Sequence, residues 1–454
     1  MSGLAIGSVS IGLILILVYA GMYVPVALTL ISFLGTWFIT DNLGVAQSLL
    51  TLKAVETIRS QEFGVIPLFV MMGLLVSTSN IAKEVFEVAN HYLKRLMGGL
   101  GMATVAANAV FAAITGVSIA SAAVFTRVAV PEMLRFGYSP RFATGVVAGS
   151  SILGMLIPPS ILLIVYAFIV EQSVGALFLA AIVPGLILSV LYCVGIYAIA
   201  RFSPATVGLA PGGATLAVAG GGAVAAPMPS QVDEDDGIDA AAALQRLLPI
   251  FALVALVIGG IYGGFFTPTE AGAVGALGAL VLTGLKGMLS FKVLWKVAVE
   301  TGHITASICF LIIAAGMYSS MLGLSGIPGE LEAWVRGAGF EVWALITIYI
   351  IIILLMGTIL DSISIMLIVV PIFLPLFQAF NFDLIWFGVV TIIAVEIGLL
   401  TPPLGIAVYV IKSTLDDDRI SLKDIFIGAA PFALMMFMVM LLVIAFPGLT
   451  SVFR

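Results

Sequence analysis

Two short stretches of this 454-residue chain gather oxygen atoms within strongly apolar surroundings. The first offers the Ser118 and Ser121 hydroxyls and the open carbonyls around Gly116 and Val117. Opposite it comes Gly154, Ile157, Pro158 and Pro159. The two prolines lack N–H groups, so carbonyls near Gly154 and Ile157 lose their helical partners. The second stretch repeats the plan with Gly357, Asp361, Ser362, Gly398 and Thr401, the last beside Pro402 and Pro403. Hydroxyls and free carbonyls are hard oxygen ligands, suited to a small cation such as sodium. Asp361 adds a carboxylate, costly in an apolar segment unless it neutralises a cation or proton or finds a partner. Each serine alone also suits plain helix packing, bonded to a neighbouring carbonyl. The matched Pro-Pro breaks tip the reading toward paired ion sites.

Other polar residues have more than one use. Glu396, two residues before Gly398, could be a proton or ion ligand, or half of a satisfied buried pair. Arg127 could hold an anionic substrate together with the Ser118, Ser121 and Ser362 hydroxyls; alternatively it snorkels to the membrane surface. Thr267-Pro268-Thr269-Glu270 has capping-box spacing with Pro at the first helical position, and reads as a helix start. His91 and His303 stand apart and support no metal site, and Cys193 and Cys309 each sit in an apolar run, as small core residues do.

The elements that position these groups are doubled. Ser118, Pro131, Phe136, Gly154, Leu156, Pro158 and Pro159 recur as Ser362, Pro375, Phe380, Gly398, Leu400, Pro402 and Pro403, each 244 residues later. Gly21 and Pro25 precede Gly264 and Pro268 by 243 residues. The chain is 62% hydrophobic and 9% charged, with a mean hydropathy of +1.24. Most helices must therefore face lipid. The net charge of −6 offers no basic patch, which argues against nucleic acid. No charged region precedes the first apolar run, which reads as a retained helix.

Residues 101–115 make about 22 Å of helix, short of the roughly 30 Å hydrocarbon core. The segment 101–134 therefore reads as a re-entrant hairpin with its tip at Gly116–Ser121, followed by a broken helix over 140–170. The second half repeats a hairpin over 340–378 and a broken helix over 384–413. Amphipathic arms precede the hairpins, at 81–97 and 327–338. Residues 203–245, rich in Gly and Pro and carrying Asp233 to Asp236, read as a solvated cytoplasmic linker between halves 1–202 and 246–454. With the N-terminus outside and five crossings plus one hairpin per half, fourteen of the 18 Lys and Arg fall inside. An odd number of crossings turns the second half upside down, so the tips approach from opposite faces. The expectation is an all-α polytopic membrane protein built as an inverted repeat.

Two other classes fit less well. A channel would use re-entrant loops but leaves the inverted duplication and the arms unexplained. A membrane hydrolase would need a nucleophile–base pair or metal cluster at membrane depth.

Gly116 to Ser121, Ile157 to Ser160, Phe266 to Ala271 and Leu400 to Pro403, in that order, resemble the large membrane (M) subunit of tripartite ATP-independent periplasmic (TRAP) transporters, in the ion transporter superfamily. The resemblance covers nearly the whole chain except the linker, and implies no enzyme and no cofactor. It implies an elevator-type symporter of the bacterial inner membrane, taking up an organic anion, usually a carboxylate, with Na+ as coupling ion. Its implied partners are a small four-helix TRAP membrane subunit, expected here as a separate chain, and a periplasmic substrate-binding protein. The alternative is a stand-alone sodium- or proton-coupled carboxylate symporter of the same superfamily. Val117 stands where the family usually has Ser, Thr126 and Arg127 where Gly and Ser are usual, and Ala394 where Asn is common.

Overall fold

In the computed structural model, residues 2–208, 215–219, 222–226, 239–337, 342–415, 417 and 419–453 are described. The acidic run Asp233 to Asp236 lies outside them. The first half contains α1 (Gly3–Tyr19), α2 (Val24–Thr40), α3 (Leu43–Arg59), α4 (Val65–Ser77), α5 (Ile81–Leu93), α6 (Gly99–Thr115), α7 (Ser118–Arg135), α8 (Pro140–Ser151), α9 (Leu153–Leu156), α10 (Ile161–Val170) and α11 (Val174–Phe202). Within the linker, a one-turn α12 (Pro204–Val207) precedes a two-stranded antiparallel hairpin, β1 (Thr215–Ala219) with β2 (Gly222–Ala226). The second half contains α13 (Ala240–Tyr262), α14 (Pro268–Leu285), α15 (Phe291–Ser325), α16 (Ile327–Gly337), α17 (Val342–Gly357), α18 (Ser362–Ala379), α19 (Leu384–Leu400), α20 (Ile406–Leu415) and α21 (Leu422–Ala445).

Among the described residues, six helices are long and apolar enough to cross a membrane, or up to eight if each of two bent pairs is one span. The duplication reaches the element boundaries. Helix α18 begins and ends 244 residues after α7, and the α19 bounds stand in the same relation to Pro140 and Leu156. The turn between each hairpin and its broken helix carries a left-handed residue at the same place, Gly137 and then Asn381. Both Pro-Pro bonds, 158–159 and 402–403, are cis.

Local chemistry explains most boundaries. Ser139, Ser160, Ser173, Ser290 and Ser421 each cap a helix by accepting a backbone N–H on the side-chain oxygen. The expected capping box at Thr267 is present, with Thr267 and Glu270 bonded reciprocally. The first arm is shorter than the expected 81–97. It stops at Leu93, and the chain turns through Gly98 at φ 76° into α6. Two elements depart from their repeat: α19 is continuous where its counterpart divides into α8 and α9, and α15 is a single helix of 35 residues, whereas its counterpart is divided into α3 and α4 by a turn of 3-10 helix at Gln61–Gly64.

The helices pack in two groups. In one, α2 packs against α1, α3 and α15, and α14 against α4 and α13. In the other, the hairpins, the broken helices, α11 and α21 pack together. Here the halves are reciprocal. Helix α10, after the first Pro-Pro, packs against α18, the return arm of the second hairpin; α20, after the second, packs against α7. Helix α8 packs against α21 in the same way that α19 packs against α11. The arms join the groups: α5 touches α6 and α13, and α16 touches α18 and α15.

Candidate functional site

Each hairpin tip sits against the break of its own half. Gly116 ends α6 at φ 61°, a left-handed conformation that disfavours any side chain. A Cβ there would also lie 2.6 Å from the carbonyl oxygen of Pro159. The Gly116 carbonyl accepts from Ile161 N at 3.2 Å, tying the tip to the start of α10. Gly154 packs on the Val117 backbone, where a Cβ would come within 3.2 Å of the Val117 carbonyl. The Gly154 carbonyl has no N–H four residues on to accept from, because residue 158 is proline. Ser118 is buried and its Oγ has no hydrogen-bond partner. Ser121, also buried, has its Oγ 3.5 Å from Thr115 Oγ1. Gly116, Val117, Ser118, Gly154 and Pro159 therefore converge.

The second site is built alike, with different chemistry. Gly357 and Gly398 meet backbone to backbone, and a Cβ on either would lie 2.6 Å from the other's Cα. Thr358 O accepts from Leu404 N at 3.2 Å, as Gly116 O does from Ile161 N. Ser362 Oγ donates to Glu396 Oε1 at 2.9 Å, and both residues are buried. Glu396 Oε2 has no partner. Asp361 is the N-cap of α18, accepting from Ser364 N at 3.1 Å and from the Ser364 hydroxyl. Val117, its counterpart, caps α7 with no side-chain bond. Asp361 thus has the partner that an apolar setting demands, within its own helix turn.

Further pairs hold each hairpin to its broken helix. Asn108 Nδ2 donates to Ser150 Oγ at 2.8 Å in the first half; Tyr349 OH and Thr391 Oγ1 are 2.9 Å apart in the second. Both pairs are separated by 42 residues.

Four of the expected residues point elsewhere. Thr401 Oγ1 bonds back to Ile397 O at 2.8 Å. Pro402 is exposed. The Ile157 side chain packs toward Gly185 of α11, although its backbone forms part of the break. Arg127 is exposed, nine residues or half a turn around α7 from Ser118. Ser362 depends on a residue that sequence reasoning left outside the ligand set. Glu396 is the one acidic side chain within α19, and that isolation was the available signal.

A helical membrane protein with a doubled hairpin-and-break centre is the architecture of a secondary transporter. A family model described as "Tripartite ATP-independent periplasmic transporter, DctM component" matches residues 11–449, and the chain belongs to that family. It is a multi-pass membrane transport protein of the TRAP type and not an enzyme. It is 34% identical over 362 residues to the C4-dicarboxylate TRAP transporter large permease protein DctM of Pseudomonas aeruginosa, covering 80% of this chain and 79% of that one. It is 28% identical over 435 residues to the sialic acid TRAP transporter large permease protein SiaM of Vibrio cholerae, covering 96% and 95%. Among solved structures, the YdaH transporter of Alcanivorax borkumensis superposes with a TM-score of 0.60 at 13% identity, over 90% of this chain and 89% of that one. That likeness is one of fold.

Proposed function

We propose that the chain takes up an organic anion, a carboxylate, by symport with sodium across the bacterial inner membrane. The observation that carries this reading is the pair of tips, each closed on a Pro-Pro break and each holding a buried oxygen without a partner, Ser118 Oγ and Glu396 Oε2. Buried polar atoms are rarely left unpaired, and orphans are expected where an ion or ligand binds. The donors fit a small hard cation: a hydroxyl and open carbonyls in the first site, a hydroxyl and a carboxylate in the second. Two cations there offset the charge of one anion bound between the tips. The Ser118, Ser121 and Ser362 hydroxyls, set at the two tips, suit a carboxylate's oxygens. The relatives named for C4-dicarboxylates and sialic acid carry acidic cargo, which supports the substrate class.

The motion we infer is an elevator. The group of hairpins, broken helices, α11 and α21 carries the site across, and the group built on α2, α4, α14 and α15 stays with the bilayer. In the same reading a small four-helix membrane subunit packs on the static group, and a periplasmic binding protein delivers the anion. The test is reconstitution in liposomes with both partners and a panel of labelled carboxylates. Uptake should require an inward sodium gradient and should vanish without the binding protein. Sodium-independent uptake would remove the ion assignment, and uptake by the chain alone would favour a stand-alone symporter.

A further inference from the structure

The two sites differ in charge at two positions, Val117 against Asp361 and Ile152 against Glu396. Counting 244 residues back from Glu396 reaches Ile152, as the same step takes Ser362 to Ser118. In the second site the serine hydroxyl is bonded to a carboxylate; in the first, the equivalent hydroxyl has no hydrogen-bond partner. Glu396 is 0% exposed, and among the described residues it forms no ion pair. Its second oxygen neither accepts nor donates a hydrogen bond, so simple packing leaves half of the group unsatisfied. Tyr192 of α11 has a buried hydroxyl that is also unpartnered and lies within electrostatic reach of Glu396. Asp361 is committed to capping α18.

We propose that Glu396 Oε2 is a charged ligand of the second cation site, making that site the tighter of two unequal sites. The inference rests on the sodium-coupled reading above and extends it to the residue that sets affinity. A full negative charge at ligand distance attracts a cation far more strongly than neutral oxygens do in a low-dielectric setting. The bound cation in turn satisfies a carboxylate whose burial is otherwise costly. The first site, with Ile152 in place of the carboxylate, holds its cation through neutral donors alone. The tight site is therefore the one that fills first and fixes the second tip.

The experiment is sodium binding to the purified full chain, by isothermal titration and by sodium-dependent thermal stabilisation. Wild type should show two classes of site. Glu396→Gln keeps an acceptor for Ser362 and nearly the same shape, so the fold should survive; the tighter class should weaken by about tenfold or more, with the weaker class unchanged. Glu396→Asp, which keeps the charge, should retain two classes. Ser362→Ala, which removes the bond that orients the carboxylate, should weaken the same class as Glu396→Gln. Two unaltered classes in Glu396→Gln would overturn the assignment while leaving sodium coupling intact. No sodium binding to wild type would instead sink the coupling itself.

Discussion

At the residue scale, the site depends on backbones brought closer than any side chain permits. Gly357 and Gly398 touch through their Cα atoms, so a methyl on either meets main chain that cannot rotate away. Gly357→Ala and Gly398→Ala should each destabilise by about 1–3 kcal/mol, the usual range for overpacking. Gly116→Ala combines a left-handed φ, worth about 1–2 kcal/mol, with a clash on Pro159 O. Gly12, where a Cβ would meet nothing within 4 Å, supplies the control: its Ala variant should unfold at or slightly above the wild-type temperature. Thermal unfolding of the four variants in one detergent checks the ordering. These glycines and prolines were legible in the sequence because their roles follow from missing atoms, a Cβ or an N–H, at a fixed spacing. The Ser362–Glu396 bond was not, because its partners lie on different helices and meet only through the rotation of α18 against α19. Asp361 was legible in principle. Asp followed three residues later by Ser at the start of an apolar run is an N-cap pattern, but its place in the apolar tip drew it toward ion binding.

At the element scale, the arm helix α5 is fastened to the helices outside the site group. Lys286 Nζ bonds Glu84, and Arg246 Nη1 lies 2.8 Å from Glu87 Oε2. Glu84 and Lys286 are each less than a third exposed, so this pair is better sheltered than a surface salt bridge. If the site group moves while the arm holds its anchor, loosening the anchor should slow transport without touching the ligands. Lys286→Glu, which opposes two carboxylates, should lower the uptake rate several-fold; the double reversal Glu84→Lys with Lys286→Glu should recover most of it. The coupling energy between the two changes should fall in the range of about 0.5–3 kcal/mol found for groups in contact. A double variant as slow as the single one would show that the pair does not anchor the arm. The arms were visible from their one-sided charge, and the hairpins from their length against the bilayer. The division of the first half into α3 and α4 was not legible from the repeat. Its repeat partner is unbroken, so the 3-10 turn at Gln61–Gly64 has no counterpart to predict it from.

At the scale of the whole molecule, reciprocity is what the duplication amounts to. Each post-break helix crosses to the return arm of the other half's hairpin, so α10 meets α18 and α20 meets α7. Two halves that exchange the same contact are related by a two-fold axis. Where that axis lies decides the mechanism. An axis in the membrane plane puts equivalent loops on opposite faces and lets the tips enter from opposite sides; an axis along the normal puts equivalent loops on the same face. The distribution of Lys and Arg favours the in-plane axis, because a topology of five crossings per half, with the N-terminus outside, would place most of them inside. Ser173 and Ser421 offer a direct test, since each is exposed and each caps the last long helix of its half. Replacing either by Cys removes one cap, at about 1 kcal/mol, and so perturbs both halves equally. With Cys193 and Cys309 changed to Ser, a membrane-impermeant maleimide should label Ser173→Cys in intact spheroplasts and Ser421→Cys only after permeabilisation. Labelling of both from the same side would place the axis along the normal. The tips could then no longer approach from opposite faces, and an elevator built on their exchange would have to be given up.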